Sequence, residues 1–250
     1  MSLTGRVALV AGGGRGIGRA VALALGERGA SVAVSARSRD ELEAVVADLE
    51  GLGARAASLP ADLTDPDAAA RVVEDAEASL GSLDILVNAA GISPVFVRSE
   101  QLEVADWDRV LATNLRAAFV LCQAAGTRML ERRGGSIVNV ASIGAAVALP
   151  RLAAYCASKA GLVALTRVLA VEWADRNVRV NAVAPAYVRT DMAAGLLDHP
   201  ALGADVVART PLGRVAEPEE VAEAVVFFAS DAAGYATGTT LYLDGGWTAQ

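Results

Sequence analysis

The sequence predicts a doubly wound α/β fold, with a parallel sheet of about seven strands and helices on both faces. Three observations predict it. Short, apolar, β-branched runs alternate with amphipathic stretches of helical length along the whole chain. The first apolar run opens directly onto a glycine-rich turn. The chain of 250 residues is long enough to bury one large core and has no linker, repeat or low-complexity tract, so residues 1–250 are expected to form a single domain.

The elements follow in order. A strand at Arg6–Val10 leads through the glycines into a helix over 16–28, and a second strand at Ser31–Ser35 precedes a helix over 40–52. That helix starts with Ser38-Arg-Asp-Glu41, a capping-box sequence. The third strand, Ala54–Leu59, is followed by Thr64-Asp-Pro-Asp67, a helix start with proline in the first turn, and by a helix over 67–80. Strands at Asp84–Val87, Ser136–Val140, Val178–Val183 and Thr240–Leu243 alternate with helical patterns over 101–131, 153–175 and 218–229. The stretch 185–217 is rich in turn residues and lacks strong periodicity, as expected of a lid over a site or of an ordinary surface excursion. In such a sheet the ligand lies beyond the carboxyl ends of the strands.

Composition narrows the function. A net charge of −7 argues against nucleic acid or an anionic membrane as the main partner. No run of about 18 uncharged apolar residues marks a membrane span. Met1–Arg6 runs straight into the first strand without room for a leader, and two cysteines, Cys122 and Cys156, are too few for a disulfide framework. A cytoplasmic protein with free thiols and no metal site is expected. The one histidine, His199, precedes Pro200 and reads as a surface residue.

The turn after the first strand reads Gly12-Gly-Gly-Arg15-Gly16-Ile17-Gly18. Missing side chains let the backbone bend sharply and approach a pyrophosphate, which the following helix N-terminus attracts. The spacing is G-x-x-x-G-x-G, not the G-x-G-x-x-G of the general dinucleotide fingerprint. An acidic residue at the tip of the second strand would bind a ribose 2′-hydroxyl. This strand ends instead in Ser35-Ala-Arg37-Ser38, and Asp40 and Glu41 are accounted for by helix capping. Arg37 and Arg15 are suited to a 2′-phosphate, which favours NADP(H) over NAD(H).

The chain contains one lysine, Lys159, four residues after Tyr155. Side chains at that spacing share a helix face. With four tyrosines in 250 positions, chance would place a single lysine there roughly one time in sixty, so a physical cause is the better reading. A neighbouring ammonium favours phenolate and lowers the phenol pKa, equipping Tyr155 to take or give a proton.

On these residues the chain is identified as resembling the short-chain dehydrogenase/reductase family along its whole length, with a Rossmann-type fold. The glycine turn and Tyr155-x-x-x-Lys159 resemble the family's two defining motifs. Asp62-Leu63 resembles its adenine-contacting segment, and Asn88-Ala89-Ala-Gly91 its segment after the fourth strand. Ser142 resembles its catalytic serine, Asn114 its proton-relay asparagine, and Pro185-Ala-Tyr-Val188-Arg-Thr190 its nicotinamide-contacting segment. The resemblance implies that Ser142 bonds the substrate oxygen, Tyr155 exchanges the proton, Lys159 holds the nicotinamide ribose, and Asn114 supports the relay. Ala11, Ala89 and Ala186 depart from the family pattern at backbone contacts, and Ala186 disfavours a positive φ.

The implied activity is hydride transfer between a nicotinamide cofactor and a secondary alcohol or ketone. Ser93–Arg98, Ala145–Arg151, Tyr187, Met192 and Leu196 are expected to shape the substrate pocket. Segments such as "SPVFVRSEQL" and "LPRLAAYCASK" most resemble sugar- or polyol-acting and 3-oxoacyl-reductase-like members. Apolar residues on several faces of the helices near 101–131 and 153–175 imply an oligomer, by resemblance a homotetramer. The alternatives are a non-catalytic dinucleotide-binding regulator and a structural subunit; neither needs Ser142, Tyr155 and Lys159 together.

Overall fold

The computed structural model describes all residues, 1–250. Seven strands form one parallel sheet: β1 (Val7–Ala11), β2 (Ser31–Ala36), β3 (Ala56–Pro60), β4 (Ile85–Asn88), β5 (Gly135–Val140), β6 (Val178–Pro185) and β7 (Thr240–Leu243). Their order across the sheet is β3-β2-β1-β4-β5-β6-β7. The order reverses between β1 and β4, opening a crevice at their carboxyl ends.

Nine α-helices accompany the strands: α1 (Gly16–Glu27), α2 (Arg39–Gly51), α3 (Pro66–Leu80), α4 (Val104–Leu111), α5 (Ala117–Arg132), α6 (Ala153–Trp173), α7 (Asp191–Leu197), α8 (Pro200–Ala208) and α9 (Pro218–Ala229). Side chains alternate along each strand, so every central strand serves two cores. On one face Val10, Val34 and Val138 pack with Leu25 of α1, Leu49 of α2 and Phe228 of α9. On the other, Leu9, Leu86 and Ile137 pack with Val73 of α3 and Leu121 and Met129 of α5.

Local chemistry fixes the helix starts. Ser38 accepts the Glu41 N–H at 3.4 Å, and Asp65 accepts the Asp67 N–H at 2.9 Å with Pro66 at the first helical position. The segment predicted as one helix over 101–131 is instead α4 and α5 joined by a π turn, Ala112–Arg116. The 185–217 stretch is more regular than expected, because α7 and α8 are too short for a clear periodic signal. His199 caps α8, its Nδ1 accepting the Leu202 N–H at 3.4 Å.

The span Ala153–Arg176 is long and apolar enough to cross a membrane by length and composition alone. Here it lies against β6, with Leu162, Leu169 and Ala170 buried.

Candidate active site

The carboxyl ends of the strands gather the predicted residues. β1 runs into Gly12, whose φ is +83° and whose added Cβ would lie 2.5 Å from the Ala90 backbone nitrogen. A side chain there would separate the β1 turn from the segment after β4. Gly18 is as constrained, since its Cβ would meet the Gly12 carbonyl oxygen. Gly16, with φ +53°, faces the Thr190 side chain, so the glycine turn and the start of α7 meet across the crevice. Arg15 bridges the same gap, its guanidinium 3.6 Å from the Asp191 carboxylate.

The turn fits a pyrophosphate. No side chain caps α1 and no acidic residue lies in its first turn, whereas α2 and α3 have both a cap and an acid. The first amide groups of α1 thus remain available to an anion. Arg37 stands at the tip of β2 near Asp62. The Asp62 carboxyl is held below its ordinary value mainly by hydrogen bonds from the Thr64 backbone and hydroxyl, with a smaller pull from Arg37.

Some predicted residues turn inward. Leu63 is buried in the core beside α3. The Asn88 amide donates to Asn139 Oδ1 at 2.8 Å, and Asn139 donates to the Thr166 hydroxyl at 2.9 Å, tying β4, β5 and α6 together. Cys122, beside Asn88, is an inert thiol pushed up to about 12 by burial. Pro185 ends β6, buried; Val188 is buried and bridges to Ala216, which ties the two ends of the 185–217 stretch together. Ala186 does not adopt the positive φ that its side chain disfavours.

Ser142 follows β5 and is buried; its Oγ accepts the Gly144 N–H at 3.1 Å, leaving its own proton free to donate. Tyr155 lies in the first turn of α6, with Lys159 one turn further on. The Lys159 ammonium is 5.8 Å from the Tyr155 ring centroid and donates to the Val140 carbonyl at 2.7 Å. It also faces Gly91, where an added Cβ would sit 3.4 Å from Nζ. The expected lowering of the phenol is not what the geometry gives. Burial pushes Tyr155 up from its ordinary value, opposed by hydrogen bonding with Ser142, and Lys159 does not reverse it. Burial also brings Lys159 down to about 8, which weakens the ammonium as a source of positive charge.

Asn114 sits in the π turn and is buried. Its Oδ1 accepts the Ile92 N–H at 2.8 Å, and its Nδ2 donates to the Ile92 carbonyl and to Ser158 Oγ at 3.0 and 3.1 Å. Both amide protons and one lone pair of Oδ1 are thus used in locking the segment after β4 to α6, which leaves the second lone pair of Oδ1 unengaged. π turns often occur at functional sites because they disturb the regular backbone ladder. Sequence reasoning missed Ser158, which also donates to the Tyr155 carbonyl at 2.7 Å; its position three residues after Tyr155, on the same helix face, was the available signal. It also missed the C-terminal contact with the 185–217 stretch, where Trp247 packs tilted against Tyr187, ring centroids 5.4 Å apart, and lies under the Arg209 guanidinium. A narrow cleft lined by Ser93, Pro94, Val95, Arg151 and Leu152 reaches Tyr155.

Comparison with known proteins agrees with this geometry. A family model described as "Enoyl-(Acyl carrier protein) reductase" matches residues 11–248. D-threitol dehydrogenase of Mycolicibacterium smegmatis is 43% identical over 98% of this chain and 94% of its own. A solved putative short-chain alcohol dehydrogenase from Sinorhizobium meliloti is 44% identical, with a TM-score of 0.96 over 100% of this chain and 98% of the other. A putative NAD(P) dependent gluconate 5-dehydrogenase from Beutenbergia cavernae, solved with bound NADP, is 44% identical with a TM-score of 0.94, over 100% and 99% of the two chains. With such similarity along its whole length, the chain belongs to the short-chain dehydrogenase/reductase family of oxidoreductases.

Proposed function

We propose that this chain interconverts a secondary alcohol and a ketone of sugar, polyol or 3-oxoacyl type, with NADP(H) preferred. The observation that carries the reading is the convergence of Ser142, Tyr155 and Lys159 between the end of β5 and the first turns of α6. A bound nicotinamide would supply the hydride acceptor or donor. Gly12, Gly16, Ile17 and Gly18 would hold the pyrophosphate; Asp62 and the backbone of Leu63 would line the adenosine side, the backbone of Asn88–Gly91 the stretch toward Lys159, and Pro185, Val188 and Thr190 the nicotinamide side.

The chain's own residues then divide the proton chemistry. Ser142 donates a hydrogen bond to the substrate oxygen. Tyr155, kept protonated at neutral pH by burial, gives its proton to that oxygen as the carbonyl is reduced. In the reverse direction the hydroxyl proton passes to Tyr155, which requires the phenolate and hence an alkaline optimum. Lys159, fixed by Val140, has two further N–H groups for ribose hydroxyls. Asn114 holds the surrounding backbone in place. Arg37, without an ion-pair partner, and Arg15 support the choice of NADP(H). The free thiols of Cys122 and Cys156 fit the cytoplasm. Exposed Phe119 on α5 and Val168 and Val171 on α6 form an apolar face suited to subunit packing in a homotetramer.

A panel of polyols, sugar acids, β-keto thioesters and cyclic ketones, followed by nicotinamide absorbance with both cofactors, tests the assignment. Tyr155→Phe should bind cofactor nearly normally and lose about 10²–10⁴-fold in turnover. Arg37→Asp should weaken NADPH and improve NADH. Full turnover in Tyr155→Phe removes the mechanism, and an unchanged cofactor ratio in Arg37→Asp removes the NADP(H) preference.

A further inference from the structure

We propose that Arg151 is a specificity-determining residue that grips a carboxylate, so that the preferred substrates are hydroxy acids and their keto counterparts. The inference rests on the oxidoreductase reading above and narrows its substrate class.

Three arginines, Arg98, Arg151 and Arg189, fall in the segments expected to shape the site, and the structure separates them. Arg98 is engaged by Glu100 at 2.5 Å, and Arg189 by Glu217 at 3.1 Å. Arg151 has neither a salt bridge nor a side-chain hydrogen bond, although it lines the same cleft as Ser93 and Tyr155. Its guanidinium lies 5.3 Å from the ring centroid of the exposed Phe96. A ring face against a guanidinium plane restrains the group while leaving its edge N–H donors free, the arrangement that bidentate carboxylate binding requires.

The backbone points the same way. Arg151 has φ +71°, in the left-handed region that a residue with a side chain enters at a cost of about 1 kcal/mol. Glycine would satisfy that turn without strain, so the turn alone does not account for an arginine. The residue stands two positions before α6, whose start carries no side-chain cap and no acidic first-turn residue. The positive end of that helix therefore adds to the guanidinium field instead of being neutralised locally. On a chain of net charge −7, an anionic substrate needs such a local cation to approach. The placement is suitable as well: Arg151 and Tyr155 line one cleft, so a carboxylate held at the rim would leave the rest of the skeleton to extend toward the phenol.

The test uses the full-length protein with both cofactors and matched substrate pairs: a cyclic hydroxycarboxylate against its own carboxamide, and an aldonate against the corresponding alditol. The wild type should favour each anion by about tenfold or more in kcat/KM, mainly through KM and less so at high salt. Arg151→Gln should bring both ratios close to one, while Arg151→Lys retains part of the preference. If Arg151→Gln fails to fold, Phe96→Leu provides the second reading and should lower the same ratios by loosening the guanidinium. Ratios near one in the wild type, ratios unchanged in Arg151→Gln, or a preference for β-keto thioesters would overturn the proposal. Turnover of neutral alcohols without anion preference leaves the oxidoreductase reading standing, whereas no turnover across the panel removes both.

Discussion

Lys159→Met removes the only lysine while keeping an unbranched side chain of similar volume in a buried site. In the native protein burial brings this ammonium from 10.5 to about 8. Holding the charge there costs about 3 kcal/mol relative to the unfolded chain. The sign follows from linkage. Between the folded and unfolded values the unfolded chain binds more protons, so stability rises with pH through that window. Wild-type stability should therefore gain about 2 kcal/mol between about pH 7 and pH 9.5 from this residue alone. Lys159→Met should lack that gain, although it loses the 2.7 Å bond to Val140 at every pH. Urea unfolding of both proteins across that range, without cofactor, isolates the effect as the difference between the two curves. Parallel curves would refute the claim that Lys159 is a charge held against its solvation preference. Turnover should fall in the same variant by about 10²-fold or more, because ribose positioning and charge are lost together.

Other perturbations separate architecture from chemistry. Asn114→Leu leaves the Ile92 amide and carbonyl and the Ser158 hydroxyl without their partner, and should cost about 1–3 kcal/mol in chemical denaturation with a clear loss of kcat; undiminished stability would show that water replaces the amide readily. Gly12→Ala forces a Cβ to 2.5 Å from the Ala90 nitrogen at a positive φ, so cofactor binding by fluorescence titration should be lost even where folded protein is recovered. Asp191→Asn breaks the ion pair from Arg15 to α7 and should change stability by no more than about 1 kcal/mol, since both groups are exposed. Its effect should appear in the cofactor dissociation rate measured by stopped flow, and an unchanged rate would mean that the bridge does not hold the lid segment.

Alternating apolar runs and helical stretches determined the sheet and most of its helices, because burial on both faces imposes a pattern that each segment carries locally. The glycine turn and the Tyr155–Lys159 spacing were legible for the same reason: a positive φ and a shared helix face are properties of a few consecutive residues. Tertiary structure alone decided the rest. The bonds from Asn114 to Ile92 and Ser158, the pairing of Asn88 with Asn139 and the Arg15–Asp191 bridge join elements distant in the chain, and no local pattern encodes them. The same holds for which arginine at the pocket rim stays free. It also holds for the phenol, whose ionisation depends on how much water the assembled fold removes from it, and that desolvation outweighs the neighbouring ammonium from which the sequence argued.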